Sequence, residues 1–371
     1  MKVLVTGAKG FIGRNLCLSL RQMDGVEVLP YDIGDELRLD EYIATCDFVF
    51  HLAGVDSAAD ACEFREVNAL FTEDILGKLA IRQNPPPVLL SSSIQAALDN
   101  DYGKSKAAAE EAVRAYGEKT GAPVFIYRLA NVFGKWCRPN YNSPVATLCY
   151  NIAHDLPITV RDPAATVMLV YIDDVVKSFV ACLAAKDAKT ANRVLSVEPS
   201  YTKSLGEIVE LIKSFHDEPD TLMVPDQQDG FTKKLYSTYL AALPEDKFSY
   251  PLTMHCDNRG SFTEALHSAE RGQVSVNVSK PGMAKGQHWH QTKHEKFLVV
   301  SGRGEINFRM ADDPNAKILT YKVSGDKLEV VRIPPGYTHN IVNVGDTDMV
   351  TLMWANEIFD PTNPDTFRME V

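Results

Sequence analysis

The chain has 371 residues, 45% of them hydrophobic and 23% charged, a composition that excludes a disordered chain and a length that predicts more than one domain. Its formal net charge of −11 excludes a general nucleic-acid binder, because such a protein needs a basic face. No run approaches the roughly 20 apolar residues that cross a bilayer, no signal segment precedes the first strand, and the cysteines form no disulfide pattern, so a cytoplasmic protein is expected.

The first half of the chain alternates short apolar runs with helical patterns. The clearest predicted helix, Tyr102–Lys119, stops before Gly121, as a helix C-terminus often does. This alternation predicts an α/β fold with a doubly wound, Rossmann-type parallel sheet. The predicted strands are Lys2–Thr6, Val26–Asp32, Asp47–Ala53, Val88–Ser92 and Val124–Leu129.

The pattern changes in the last third of the chain. Apolar and polar residues alternate with period two, as in Val274–Val278, and Gly-containing turns separate the runs. Such a pattern predicts an all-β barrel or sandwich. We place the boundary near Pro244, which gives domains of residues 1–243 and 244–371.

A glycine-rich segment follows the first predicted strand and opens a helix. Glycine allows a tight turn and close approach of the backbone to a pyrophosphate, which the helix N-terminus then faces. Asp32, at the end of the second strand, is placed to accept a hydrogen bond from a ribose hydroxyl. The segment therefore predicts dinucleotide binding, and its candidate contacts are Gly7, Gly10, Phe11, Ile12 and Gly13.

Tyr102 and Lys106 are spaced to share one face of a helix. A neighbouring ammonium stabilises a phenolate, so the pair can give a proton to a ketone that receives hydride, or accept one in reverse. Ser91–Ser93 ends the preceding strand at the carboxyl edge of the sheet, where a hydroxyl can hold the carbonyl. The Tyr-Lys spacing is common on solvated helices, and the glycine-rich segment upstream is what favours the catalytic interpretation.

These segments resemble the extended short-chain dehydrogenase/reductases that act on nucleotide sugars. The resemblance implies a catalytic triad of Ser93, or its neighbour Ser92, with Tyr102 and Lys106. It also implies dinucleotide contacts from Leu52, Ala53, Tyr102 and Lys106, and sugar-nucleotide contacts from Ser92 and Asn131. The matches follow the family's order over about residues 1–240: TGAKGFIG, HLAG at 51–54, VN at 67–68, SSS, Tyr102 with Lys106, RLANVFG at 128–134 and YIDDV at 171–175.

Two further features bear on the reaction and the cofactor. Dehydratases of this family carry an acidic pair after the strand-end hydroxyl, whereas Ile94 and Gln95 stand here, so reduction or oxidation of a ketone is expected. Asp32 favours NADH, while Lys9 and Arg14 could attract the 2′-phosphate of NADPH. NADPH is the expected cofactor of a biosynthetic reductase, and NADH stays open.

The second domain contains a candidate metal site. His288 and His290 alternate along a strand and so share a face, Glu295 follows a short turn, and His339 comes from a separate strand. Three imidazoles and a carboxylate suit Zn, Fe, Mn or Ni. The spacing resembles the cupin pattern, although Leu328 replaces the glycine that opens the second cupin motif. The resemblance implies a cupin barrel with a divalent metal, for which zinc is the expected ion, acting in catalysis or only in stabilising the barrel.

Segments along nearly the whole chain, among them YGKSKAAAE, LYSTYLAALP and KFLVVSG, resemble bifunctional enzymes of capsular and O-antigen polysaccharide synthesis. The resemblance implies that the cupin epimerises C3 of a UDP-4-keto-6-deoxy-N-acetylhexosamine. The reductase domain then reduces the C4 ketone to give UDP-N-acetyl-6-deoxy-L-talosamine, a precursor of UDP-N-acetyl-L-fucosamine. The partner is then a UDP-sugar, and a homodimer is expected.

Other interpretations of the sequence stay open. Tyr337, beside His339, is a candidate acid in contact with substrate, although a tyrosine after Pro-Gly is as readily a packed rim residue. The chain could be a 4-ketoreductase with a purely structural cupin. It could also be a non-catalytic redox and sugar sensor, or an iron-dependent cupin dioxygenase. Retention of both Tyr102 and Lys106 argues against the sensor.

Overall fold

The computed structural model describes residues 1–34, 36–56, 61–184 and 193–371. The chain divides into two compact units. One comprises Met1–Ile212 and Gly230–Pro244, and the other comprises Lys213–Asp229 and Glu245–Val371. Among the described helices, none is both long and apolar enough to cross a lipid bilayer.

A six-stranded parallel sheet forms the centre of the first unit, in the order β2-β1-β3-β4-β5-β8. This confirms the predicted Rossmann-type fold. Successive strands are added on one side of β1 as far as β2 and on the other side from β3 onward, so the strand order reverses between β1 and β3. The carboxyl ends of the strands at such a reversal form the usual ligand-binding crevice. A small second sheet has the order β6-β7-β9. The strands are β1 Lys2–Thr6, β2 Glu27–Tyr31, β3 Phe48–His51, β4 Val88–Ser93, β5 Val124–Leu129, β6 Asn131–Phe133, β7 Thr166–Tyr171, β8 Val194–Leu195 and β9 Ser200–Ser204.

Helices accompany this sheet, and one of them carries the predicted Tyr-Lys pair. That helix begins where the Asn100 side chain accepts a hydrogen bond from Gly103 N at 2.7 Å, and it ends at Gly121, whose φ of 75° is left-handed. A π-helical segment, Arg65–Leu70, joins the third and fourth α-helices. The α-helices are α1 Phe11–Arg21, α2 Glu36–Thr45, α3 Ala61–Phe64, α4 Phe71–Ala80, α5 Asp101–Thr120, α6 Pro144–Ala153, α7 Ile172–Ala181, α8 Leu205–His216, α9 Glu218–Thr221 and α10 Gly230–Leu240.

Two antiparallel sheets form the second unit, which confirms the predicted all-β, cupin-like domain. Their orders are β10-β11-β12-β19-β14-β17 and β16-β15-β18-β13-β20. An apolar cluster that includes Phe297, Ile306 and Phe308 fills part of the interior. The strands are β10 Met254–Asp257, β11 Gly260–Ser268, β12 Gly272–Ser279, β13 Ala284–Trp289, β14 Glu295–Ser301, β15 Arg303–Met310, β16 Leu319–Ser324, β17 Val330–Ile333, β18 Tyr337–Asn343, β19 Met349–Ala355 and β20 Phe367–Arg368.

The alternation along β12 runs opposite to that of an ordinary core strand. Ser275 and Asn277 are buried, with Asn277 only 1% exposed, whereas Val274 and Val276 are half-buried. Polar side chains of β12 therefore face the inside of the barrel. A strand of this kind indicates an interior that holds a polar cavity rather than a continuous apolar core.

The second unit also includes residues 213–229, which the predicted division at 244 had assigned to the first domain. Val224 N donates to His267 O at 2.9 Å, and His267 N donates to Leu222 O at 2.7 Å. The segment thus adds backbone hydrogen bonds to the edge of β11. Pairing of this kind joins residues that are far apart in sequence, so composition and periodicity do not reveal it.

Candidate functional site

The glycine-rich loop of the first unit is packed too closely for side chains. Gly7 has a φ of 68°, and a Cβ there would lie 2.8 Å from Ala53 N. A Cβ on Gly13 would lie 2.1 Å from Gly7 O. The loop therefore needs glycine at both positions, and the N-terminus of α1 remains open to a bound phosphate.

We expect Gly13→Ala to weaken binding of reduced nicotinamide dinucleotide. The added methyl group would collide with the loop backbone, and overpacking of this kind costs about 1–3 kcal/mol, or roughly 5- to 150-fold in the dissociation constant. Fluorescence titration measures the change. Gly77→Ala in α4 is the matched control, since its Cβ would meet nothing within 4 Å. Wild-type affinity in Gly13→Ala would contradict the assigned role of the loop.

A cleft of about 830 Å³ opens beside this loop. Asp32 and Ala53 do not line it. The Asp32 carboxylate accepts hydrogen bonds from Lys9 N at 2.8 Å and Ile33 N at 3.0 Å, and Ala53 N donates to Thr6 Oγ1 at 3.2 Å. Asp32 is thus hydrogen-bonded to the loop and Ala53 to the end of β1, and their roles in cofactor binding stay predictions. The predicted residues that line the cleft are Gly7, Gly10, Phe11, Ile12, Gly13, Leu52, Ser92, Ser93, Tyr102, Lys106 and Asn131.

The structure distinguishes the serines at the end of β4. The Ser92 hydroxyl is buried and donates to Glu110 Oε1 at 2.6 Å, so its proton is already given to that carboxylate, although Ser92 also lines the cleft. Ser93 is half-buried, lines the cleft and is hydrogen-bonded to Tyr102. Ser93 therefore stays the predicted hydroxyl that holds a carbonyl.

Tyr102 and Lys106 both line the cleft, where burial affects the pKa of Tyr102 more than any neighbouring charge does. Burial raises the pKa of Tyr102, and the hydrogen bond to Ser93 only partly opposes this rise. Lys106 Nζ donates to Ser91 O at 2.8 Å. Burial lowers the pKa of Lys106 to about 8. Tyr102 is therefore a protonated phenol at neutral pH, which suits a proton donor.

Glu110 is a cleft-supporting residue that the sequence interpretation missed. Its carboxylate is 1% exposed and accepts two hydrogen bonds from Arg128, each at 2.8 Å, besides the one from Ser92. It follows Lys106 by one helical turn, so it ties α5 to the ends of β4 and β5. The spacing Lys106-x-x-x-Glu110 on one helix face was the signal that could have shown it.

Asn131 lies at the edge of the cleft, where its amide donates to Met168 O at 3.2 Å. The loop that follows it adds lining residues that were not predicted. Trp136 and Arg138 line the cleft, and the Arg14 guanidinium lies 5.1 Å from the Trp136 ring centre. The run KWCRPNY, which mixes basic and aromatic residues between β6 and α6, was a usable signal for this wall.

The second unit brings together all four predicted metal ligands. The candidate ligand atoms lie within 4.8 Å of one another, and His290 Nε2 and His339 Nε2 each lie 3.4 Å from Glu295 Oε2. The His288 and His339 rings are 4.6 Å apart. A bulge in β13, between Gly286 and His288, sets this geometry. We call these four residues the metal cup.

The metal cup leaves buried polar atoms without hydrogen-bond partners. They are His290 Nε2, Glu295 Oε2 and both ring nitrogens of His339. Burying such atoms without partners is costly, and a cation would satisfy them. Burial, with the neighbouring imidazoles, lowers the pKa of His288 to about 4. Burial favours a neutral Glu295, but the adjacent histidines hold the pKa of this carboxyl well below its usual range. Neutral imidazole and ionised carboxylate are the metal-binding forms, so these shifts of His288 and Glu295 fit a divalent ion, whereas Glu295 raises the pKa of His290 against the effect of its burial.

The metal cup opens on a cavity of about 500 Å³ inside the barrel. Lys285 and Lys293 line it, together with the polar face of β12, and none of these was predicted. Tyr337, expected to contact substrate, is absent from the described lining residues and packs near Phe308, with ring centres 6.5 Å apart. Its place in β18 fits the packed rim residue that the sequence left open.

Two family models match this chain. The NAD dependent epimerase/dehydratase family matches residues 3–197, and the polysaccharide biosynthesis C-terminal domain matches residues 255–367. The UDP-2-acetamido-2,6-beta-L-arabino-hexul-4-ose reductase of Pseudomonas aeruginosa is 47% identical, over 100% of this chain and 99% of that protein.

Solved structures agree with these matches. The capsular polysaccharide assembling protein CapF from Staphylococcus aureus is 47% identical, with complete coverage of both chains and a TM-score of 0.92. A UDP-glucuronic acid 4-epimerase from Bacillus cereus, in complex with NAD, is 23% identical over 58% of this chain and 83% of that chain, with a TM-score of 0.52, which shows a shared fold. The chain therefore belongs to the NAD dependent epimerase/dehydratase family, in which it combines a nucleotide-sugar reductase fold with a polysaccharide biosynthesis C-terminal domain.

Proposed function

We propose that this chain is a bifunctional enzyme that acts on a UDP-4-keto-6-deoxy-N-acetylhexosamine. Its barrel epimerises C3, and its Rossmann-type unit reduces the C4 ketone to give UDP-N-acetyl-6-deoxy-L-talosamine, a precursor of UDP-N-acetyl-L-fucosamine. The observation that carries the proposal is the presence in one chain of a Ser-Tyr-Lys cleft and a separate cavity with the metal cup. The full-length similarity to a 2-acetamido-4-hexulose reductase supports the substrate class.

In the cleft, this chain's residues handle the proton of the reduction. A nicotinamide cofactor, when bound, supplies hydride to C4. Ser93 donates a hydrogen bond to the ketone oxygen, and Tyr102 gives that oxygen its phenolic proton. The buried Lys106 ammonium stabilises the phenolate that remains. Because the pKa of Lys106 is about 8, the ammonium is lost above that pH and the rate of reduction falls.

We propose NADPH as the reductant. The Arg14 guanidinium lines the cleft beside Trp136, and Lys9 belongs to the glycine-rich loop, so two cations are available to a 2′-phosphate. Both oxygens of the Asp32 carboxylate already accept hydrogen bonds from backbone amides. Michaelis constants for NADPH and NADH measure the preference.

In the barrel, the C4 ketone acidifies the C3 hydrogen of the substrate. His288, His290, Glu295 and His339 would hold a divalent metal, which would supply a Lewis acid for the ketone oxygen. We propose zinc, because three imidazoles and one carboxylate are ligands that zinc accepts. The ammonium groups of Lys285 and Lys293 line the same cavity and favour an anionic substrate.

We expect Glu110→Gln to move the alkaline limb of the pH profile of reduction to lower pH. The Glu110 charge raises the pKa of Lys106, so without it the lysine loses its proton below about pH 8. Weakened bonds to Arg128 should also cost about 2 kcal/mol of unfolding free energy, typical of hydrogen bonds to charged groups. The measurements are the pH profile of kcat and urea unfolding. Glu111→Gln changes an exposed neighbour and should leave the alkaline limb of the pH profile unchanged. An unchanged alkaline limb in Glu110→Gln would refute the coupling between Glu110 and Lys106.

Nuclear magnetic resonance of the product tests the proposed function. The UDP-4-keto-6-deoxy-N-acetylhexosamine is incubated with the protein in deuterated water, with and without NADPH. We expect deuterium at C3 without NADPH, and the 6-deoxy-L-talosamine product with it. Reduction without exchange at C3 would instead support a ketoreductase with a structural barrel. A substrate left unchanged in both incubations would refute the enzyme.

A further inference from the structure

We propose that residues 365–371, which we call the clamp segment, position two ligands of the metal cup and so control how tightly it holds its ion. The inference rests on the metal site of the proposed function. The clamp segment is distant in sequence from His288 and His290, yet it contacts the backbone on both sides of them. Asp365, the first residue of the segment, makes most of these contacts and is the main positioning residue.

Asp365 orients the His290 ring through its backbone. His290 Nδ1 lies 2.6 Å from Asp365 O. A carbonyl oxygen only accepts hydrogen bonds, so Nδ1 carries a proton, and in the neutral ring Nε2 keeps its lone pair. Nε2 is buried without a hydrogen-bond partner and lies 3.4 Å from Glu295 Oε2. The contact therefore selects the tautomer that binds a metal and aims it into the cup.

The Asp365 side chain holds the turn that separates His290 from Glu295. Its carboxylate accepts hydrogen bonds from the backbone amides of Gln291 at 2.9 Å and of Thr292 and Lys293 at 2.8 Å, and from Thr292 Oγ1 at 3.1 Å. Asp365 itself has a φ of 39°, a conformation that costs free energy outside glycine. Four hydrogen bonds from one turn are what hold the residue in that conformation.

The rest of the clamp segment supports the bulge that aims His288. Gln287, in the bulge, has a φ of 65°, which is unfavourable for a side chain with a Cβ. Met369 N donates to Gln287 O, and Val371 N donates to Gln287 Oε1, both at 2.9 Å. Strand β20 also pairs with β13 next to the bulge. These contacts stabilise a strained backbone at the point where the strand turns His288 toward the cup.

Zinc affinity of Asp365→Ala tests the inference, with Asp360→Ala as the matched control. Asp360 is an exposed carboxylate that also holds a local turn, through Thr362 N at 2.8 Å, but its hydrogen bonds do not reach the metal cup. We expect Asp365→Ala to bind Zn²⁺ about 10- to 100-fold more weakly, as loss of groups that orient metal ligands usually does. A chelator competition assay measures the zinc affinity at a temperature at which each metal-free protein is still folded. A general loss of stability therefore does not change the measured affinity.

The outcomes separate the inference from the proposed metal site. Zinc affinity of Asp365→Ala within twofold of the wild type would overturn the positioning role while the metal site stands. Absence of zinc binding by the wild-type chain would overturn the metal site, and the inference with it. If Asp365→Ala does not fold, Asp365→Asn decides: severalfold weaker binding supports the role, and wild-type affinity overturns it. The visible spectrum of the Co²⁺-loaded variant gives a second readout of ligand geometry.

Discussion

Tyr102→Phe should slow reduction of the C4 ketone by about 100- to 10,000-fold, the usual contribution of a positioned proton donor. The variant keeps the ring, whose centre lies 5.6 Å from that of Phe64, and removes only the hydroxyl that donates the proton. Stopped-flow or steady-state absorbance of the nicotinamide measures the rate. Deuterium exchange at C3 should continue in the same protein, because the barrel does not use this tyrosine.

Tyr116→Phe is the control for this prediction. Tyr116 lies on the same helix, α5, and its buried hydroxyl donates to Pro86 O at 2.7 Å, away from the cleft. The two variants remove the same group from the same helix, so a general effect of hydroxyl loss would appear in both. A reduction rate in Tyr102→Phe within threefold of that of Tyr116→Phe would refute the proposed proton donor.

Replacement of His290 and His339 with alanine should abolish zinc binding and lower deuterium exchange at C3 by about 100-fold or more, the scale on which loss of electrostatic stabilisation slows related reactions. Both imidazoles lie in the metal cup, so the double variant leaves two of four ligands. Metal content by mass spectrometry and exchange by magnetic resonance give the two readouts. Reduction of an already epimerised ketone should persist, since the reductase cleft is unchanged.

His294→Ala is the control for the metal cup. His294 lies in the same turn, but it is exposed and its ring packs against Trp354, with ring centres 5.7 Å apart. It should retain zinc and exchange. Exchange that survived in the metal-free double variant, with its fold intact, would exclude a catalytic metal. Exchange that was lost in His294→Ala as well would show that the turn itself, rather than the ligands, is needed.

The features that the sequence predicted are those that local spacing determines. The glycines at 7, 10 and 13 meet steric needs of a single strand-turn-helix unit, and Tyr102 and Lys106 lie one turn apart on one helix. His288 and His290 alternate along one strand. Each of these patterns carries its geometry within a few residues, so that geometry could be predicted before any fold was known.

The remaining features of the two candidate sites depend on contacts between segments that are distant in sequence. Ser92 and Ser93 have the same chemistry and both line the cleft, and only the position of Glu110 on a neighbouring helix shows that the Ser92 hydroxyl already donates its proton to a carboxylate. Tyr337 has a motif position beside His339, yet it is not among the described residues that line the cavity, and its ring centre lies 6.5 Å from that of Phe308. Polar residues of β12 face inward because the barrel closes around a cavity. The sequence of a single strand does not show whether such a cavity forms.

The metal cup combines both kinds of information. Local spacing in the sequence determined which donor atoms are available, because side-chain chemistry and strand alternation are properties of the chain itself. Only the tertiary structure decided the tautomer and aim of His290, since the carbonyl that accepts the hydrogen bond from Nδ1 belongs to Asp365, in a different part of the chain. Ligand identity is a local property, whereas ligand orientation depends on whichever segment the fold places against it.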